Sequence, residues 1–154
     1  MKNYVKYLPY VTFILALIST LASLSFSEIF HLTPCVLCWY QRICMYPLVF
    51  ISAVSIIRKQ KDLHTYILPL SILGLLIAIY HNLLYWHILP ESVAPCKAGI
   101  SCTTKLIEYF GLITIPFGSM IAFALITATM LLYAKNIKNN QEPPVEKDKQ
   151  KKGK

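Results

Sequence analysis

Four of the five cysteines come as two short pairs, Cys35-Val-Leu-Cys38 and Cys96-Lys-Ala-Gly-Ile-Ser-Cys102. Two thiols close to one disulfide by giving up two electrons and two protons, so each pair is a candidate two-electron centre. A bridge constrains the chain most when it closes a long loop. The Cys35–Cys38 ring staples almost nothing, which suits a bond that is made and broken. Just upstream, Thr33 has the side chain of a helix cap and Pro34 fits a first turn. A helix starting there places both sulfurs near its positive end, which lowers a thiol pKa and favours thiolate. A low-pKa thiolate is also a good leaving group in disulfide exchange. Cys96 and Cys102 are more ambiguous: Gly99 between them permits a turn that serves a structural bridge and a redox pair equally. Four cysteines can also make a tetrahedral zinc site. Thiolates in an oxidising compartment are at risk, however, and no second-shell pattern is visible, so no metal site is expected.

Arg42 follows Cys38 by four residues and shares its helix face, with Gln41 beside it at three. A charge within a membrane helix is costly and marks function by default. A shallow arginine can instead snorkel to the headgroups, and both readings stand. His81 and Asn82 fall near the end of the third apolar segment, at the depth of Cys38 and Arg42. His81 can be a satisfied bundle residue, or can face a flat, lipid-soluble electron acceptor fitted beside these groups. Cys44, deeper in the second segment, reads as a small buried hydrophobe.

These residues must be positioned by membrane helices. The chain has 154 residues, 56% hydrophobic and 14% charged, against about 25% charged in soluble domains. Apolar segments run from about Leu8 to Phe26, Trp39 to Ile57, Thr65 to Trp86 and Leu112 to Ala134. Each nears the roughly 20 residues that span a bilayer. In lipid the backbone must satisfy its own hydrogen bonds, so all four are helices. The expected fold is an all-α membrane protein, a four-transmembrane-helix antiparallel bundle with two extracytoplasmic cysteine loops. Residues 1–134 form the transmembrane domain. Residues 135–154, KNIKNNQEPPVEKDKQKKGK, read as a disordered Lys-rich tail.

Twelve of the 15 Lys and Arg residues lie in the N-terminus, the RKQK loop after the second segment, and the tail. The positive-inside rule places these, and both termini, in the cytoplasm of a multi-pass cell-membrane protein. The cysteine loops then face the oxidising side, where disulfides persist. The net charge of +8 follows this membrane pattern, so no nucleic-acid partner is expected. The first segment is too long for a signal-peptide core and has no clean cleavage site after it.

At CVLCWYQR (35–42) the sequence resembles the DsbB family of disulfide bond formation proteins, and within it the short BdbC-type members of Gram-positive bacteria. SEIF (27–30), MYPL (45–48) and FGLITIPF (110–117) fit the same pattern. The resemblance covers roughly residues 5–135. It implies a quinone-dependent thiol–disulfide oxidoreductase, with menaquinone the expected quinone. An extracytoplasmic thioredoxin-fold thiol oxidase arrives reduced and exchanges with the second-loop disulfide through Cys96. Cys102 then exchanges with Cys35. Cys38 is left as the thiolate facing the quinone, with Arg42 supporting it. His81 falls near a quinone-site histidine of longer members. The second pair here is spaced CxxxxxC, as in short members, whereas longer ones separate those cysteines widely. The competing classes are a structural membrane subunit with two stabilising disulfides and an outward-directed thiol reductase. The reductase reading lacks a cytoplasmic cysteine to receive electrons.

Overall fold

The computed structural model describes residues 3–31, 33–60, 62–90 and 115–141. After a 3-10 turn at Asn3–Lys6 come four helices: α1 (Leu8–Glu28), α2 (Val36–Ile57), α3 (Leu63–Tyr85) and α4 (Ile115–Gln141). Each is long and apolar enough to cross a membrane, and no strand occurs among the described residues. Side-chain contacts fix their directions. Arg42, early in α2, bonds to Ser23 and Ser27, late in α1. His81, late in α3, reaches Cys35 just before α2. Asn82 of α3 donates to the Pro116 carbonyl at the start of α4 (2.9 Å). Consecutive helices are therefore antiparallel. The α1–α2, α2–α3, α3–α4 and α4–α1 packings close a ring, and the expected bundle is the one found.

Large apolar side chains such as Ile18, Phe50, Ile57 and Leu76 point outward, where lipid replaces water and exposure costs nothing. The interior mixes apolar side chains with small polar ones, including Thr12, Ser52, Ser71 and Thr127. Membrane helices associate this way because small residues allow close approach and hydroxyls bond locally or across helices. Thr127 donates to Ser71 across α3 and α4 (3.1 Å). Gly74 lets α3 and α4 pack closely, since a Cβ there would collide with the Phe123 ring.

The boundary of the tail differs from expectation. The helix continues seven residues past Ala134, to Gln141. Composition turns polar at Lys135, but one apolar stripe does not stop. Phe123, Ile126, Met130, Tyr133 and Ile137 recur every three or four residues and all are buried. Asn136 also bonds back to the Leu132 carbonyl at 2.7 Å. Residues 142–154 of the expected tail, the second cysteine loop with Cys96 and Cys102, and the expected helix start at Leu112 lie outside the described residues.

Candidate redox site

The site begins where α2 begins. Cys35 is the N-cap, with φ −71° and ψ 169°, and its own Sγ accepts the backbone N–H of Cys38 at 3.3 Å. The expected cap, Thr33, stands two residues too early. A cysteine sulfur takes the place usually filled by a Ser, Thr or Asp oxygen. This sulfur thus sits on the positive end of the helix itself. Cys38, one turn into α2, brings its Sγ to 2.7 Å from that of Cys35.

The third member comes from α3. His81 Nε2 lies 3.7 Å from Cys35 Sγ, and its Nδ1 lies 3.2 Å from the side-chain nitrogen of Gln41. His81 is 2% exposed and Cys35 6%, while Cys38 is half-buried. With the Gln41 amide donating to Nδ1, the ring carries its proton on Nε2, facing the sulfur. Leu37 and Leu84 cover the cluster from α2 and α3.

Cys35 lies just before the membrane-spanning residues of α2. The Cys38 thiol donating to it holds Cys35 well below the usual thiol range. Burial opposes this, and His81 and the Cys38 backbone N–H add to the lowering. The sign has a consequence for pH. Thiolate dominates from the usual thiol value, about 8.5, down to the lowered one. It is lost only as pH falls through that lowered value. In the reduced protein, Cys35 alkylation by iodoacetamide should therefore stay nearly flat from about pH 8 to about pH 6, where an ordinary thiol slows many-fold. His81→Ala should move the profile upward. A wild-type profile that matches a free cysteine, read by peptide mass spectrometry, would refute this electrostatic reading.

Arg42 occupies a neighbouring groove. Its Nε donates to Ser23 Oγ (2.9 Å) and its Nη2 to the Ser23 carbonyl (2.7 Å) and to Ser27 Oγ. The guanidinium carbon sits 5.6 Å from the Trp39 ring centroid, within cation–π range. At 8% exposure Arg42 is buried, so it is a tie to α1 rather than a side chain reaching for headgroups. It lines a groove of about 510 Å³ with Leu24, Ser27 and Glu28 of α1 and Trp39 and Tyr46 of α2.

Of the residues singled out by sequence, then, Cys35, Cys38 and His81 come together, and Arg42 faces the α1 side of the same helix start. Both His81 ring nitrogens face protein partners, Cys35 and Gln41, as in the satisfied-bundle reading of this residue. Ser23 and Ser27 were missed. Their spacing of four near the end of an apolar segment was the available signal, because it places two hydroxyls on one helix face.

The family model "Disulfide bond formation protein DsbB" matches residues 6–133. The chain belongs to the DsbB family. By that membership it is a membrane thiol–disulfide oxidoreductase, in a family linked to quinone, and the resemblance read from residues 35–42 is borne out. Disulfide bond formation protein C of Bacillus subtilis (strain 168) is 44% identical over 132 residues, covering 86% of this chain and 95% of that protein. The SPbeta prophage-derived disulfide bond formation protein B of the same strain is 38% identical over 143 residues, covering 90% and 95%. Probable disulfide formation protein C 1 of Bacillus anthracis is 40% identical over 120 residues, covering 77% and 86%. No solved structure matches the chain. Within this DsbB-family bundle, the Cys35–Cys38 pair at the head of α2 is the candidate redox centre among the described residues.

Proposed function

We propose that the chain reoxidises an extracytoplasmic thioredoxin-fold thiol oxidase and passes the two electrons to a membrane quinone, menaquinone being the expected type. The observation that carries this reading is the Cys35–Cys38–His81 cluster at the head of a membrane helix. A thiol pair at that point supports exchange with a protein outside and with a lipid-soluble acceptor alike. Both termini are cytoplasmic in this reading, and Cys96 and Cys102 face outward.

The relay balances between two outside reactants, the partner's dithiol as donor and a quinone as two-electron acceptor. The partner's dithiol is oxidised as Cys96–Cys102 is reduced. Cys102 thiolate then attacks Cys35, breaking the Cys35–Cys38 bond and leaving Cys38 as thiolate. Cys96 next attacks Cys102, and Cys35 is released. Cys35 is a good leaving group for the reason seen in its surroundings: Cys38, His81 and a backbone N–H all stabilise its anion. Its thiolate would then close the bridge to Cys38, the two electrons and two protons of the pair going to the quinone.

The acceptor's fit rests on the Arg42 groove. Its volume lies within the range of small-ligand pockets, about 300–1,000 Å³. Trp39 and Tyr46 offer aromatic walls for a flat ring, and Arg42 offers fixed positive charge. When bound, a quinone supplies the sink for two electrons and two protons. Trp39 and Tyr46 would flank it, and Arg42 would steady negative charge on its oxygen.

Entry and topology are tested together. Cys102→Ser should trap the partner on Cys96 as a reductant-sensitive covalent complex, seen as a shifted band on non-reducing gels. If Cys96→Ser traps it instead, the two roles are reversed. After reduction of intact cells, an impermeant maleimide should label Cys96 and Cys102. Protection of both from that reagent would sink the proposed orientation.

A further inference from the structure

The same three side chains that hold the redox pair also have the makings of a metal site. Cys35 Sγ, Cys38 Sγ and His81 Nε2 all lie within 4.8 Å of one another. We infer that the reduced pair, with His81, binds a thiophilic divalent cation of the Zn²⁺ and Cd²⁺ class, which holds both thiols and blocks bridge formation.

The geometry needs little adjustment. Tetrahedral ligands at about 2.0–2.3 Å from zinc stand roughly 3.4–3.8 Å apart. The Cys35 Sγ–His81 Nε2 separation of 3.7 Å already meets this. The two sulfurs, at 2.7 Å, must part by about an ångström, which a turn of the half-buried Cys38 side chain provides. Three protein ligands leave a fourth position for water, the pattern of open zinc sites.

Charge favours the metal as well. Two thiolates crowded under Leu37 and Leu84 are a costly arrangement away from water. A divalent cation makes the dithiolate assembly formally neutral, and the remaining Cys38 proton leaves as it binds, Cys35 being thiolate already. The backbone N–H of Cys38 already points at Cys35 Sγ. Gln41 supplies what the sequence alone does not reveal, a partner for the other ring nitrogen of His81. Its terminal amide, turned so that the oxygen accepts from Nδ1–H, leaves Nε2 free to ligate. At 7% exposure Gln41 is held in place to do so. The cluster therefore has two exclusive fates in its reduced state: closure to a disulfide, or capture by metal.

The site needs only the reduced pair, which a phosphine reductant generates chemically. Its failure is therefore separable from failure of the electron relay. The experiment titrates Cd²⁺ into the phosphine-reduced, detergent-purified full chain carrying Cys96→Ser and Cys102→Ser, following Cd–thiolate absorbance in the ultraviolet. One Cd²⁺ per chain is expected, competed by Zn²⁺ and absent from the disulfide form. His81→Gln, close in size but a poor ligand, should weaken binding roughly tenfold or more, and Gln41→Leu by about 10–100-fold. His81→Cys should restore tight binding through a third sulfur, so a fold defect in one variant does not decide the matter. Unchanged affinity in His81→Gln would show that the two thiols alone take the metal. No saturable binding to the reduced chain would overturn the site altogether.

Discussion

Cys38→Ser is expected to stop quinone reduction by a dithiol carrier, bringing the anaerobic rate down to that seen without protein. Oxidation of a carrier releases a pair of electrons, and a lone sulfur cannot release that pair by closing on its neighbour. In the variant, Cys35 keeps its place as the cap of α2 and its contact with His81. A mixed disulfide at Cys35 can therefore still form, and alkylation of Cys35 should persist. What is lost is Cys38 Sγ, 2.7 Å away, as the second atom of the bridge. The measurement is hydroquinone production by purified protein with reduced carrier and added quinone. A structural membrane subunit would show no such activity in the first place, and its disulfides would act only on stability. Retained turnover in Cys38→Ser would show that electrons leave without the Cys35–Cys38 bridge and would overturn this relay, whereas no turnover even in the wild type would favour the structural reading.

The bundle was legible from the sequence because spanning a membrane is a local demand. A run of about twenty apolar residues is enough to define a helix in lipid, and the four segments are close to α1–α4. Helix rotation is a different matter. A helix apolar on all sides carries no stripe that says which face turns inward. The chain thus named Arg42 and His81 as polar residues at one depth but could not say that they face different neighbours. Arg42 turns to α1 because Ser23 and Ser27 offer it acceptors, whereas His81 turns to α2 because Cys35 and Gln41 do. The cap was misplaced for a similar reason. Thr33 has the better side chain by propensity, but Cys35 stands at the residue where the helix starts, and its sulfur reaches the Cys38 N–H. The end of α4 escaped composition because lysines and asparagines flank Ile137 without interrupting its stripe.

Arg42→Ala should raise the quinone concentration needed for half-maximal turnover by roughly 10- to 100-fold, the range of one charge-assisted hydrogen bond at about 1.5–3 kcal/mol. The Cys35–Cys38 bridge should still form in this variant. Three of the five guanidinium N–H donors are spent on α1, which fixes the group rigidly. The Nη1 pair has no hydrogen-bond partner recorded among the described residues and is available to an acceptor in the groove. Removing the side chain thus loses both a positive charge beside Trp39 and a tie between α1 and α2. Arg42→Lys separates the two. A lysine keeps a charge but cannot reproduce the planar fork, so its affinity should fall between wild type and alanine. Thermal unfolding in detergent measures the helix tie independently of turnover. Quinone titrations of the three purified proteins decide the question. If Arg42→Ala loses thermal stability but keeps the wild-type rate and apparent quinone affinity, Arg42 is a structural tie between two helices. The acceptor must then approach the cysteine pair from the α3 side, past Cys38 and His81.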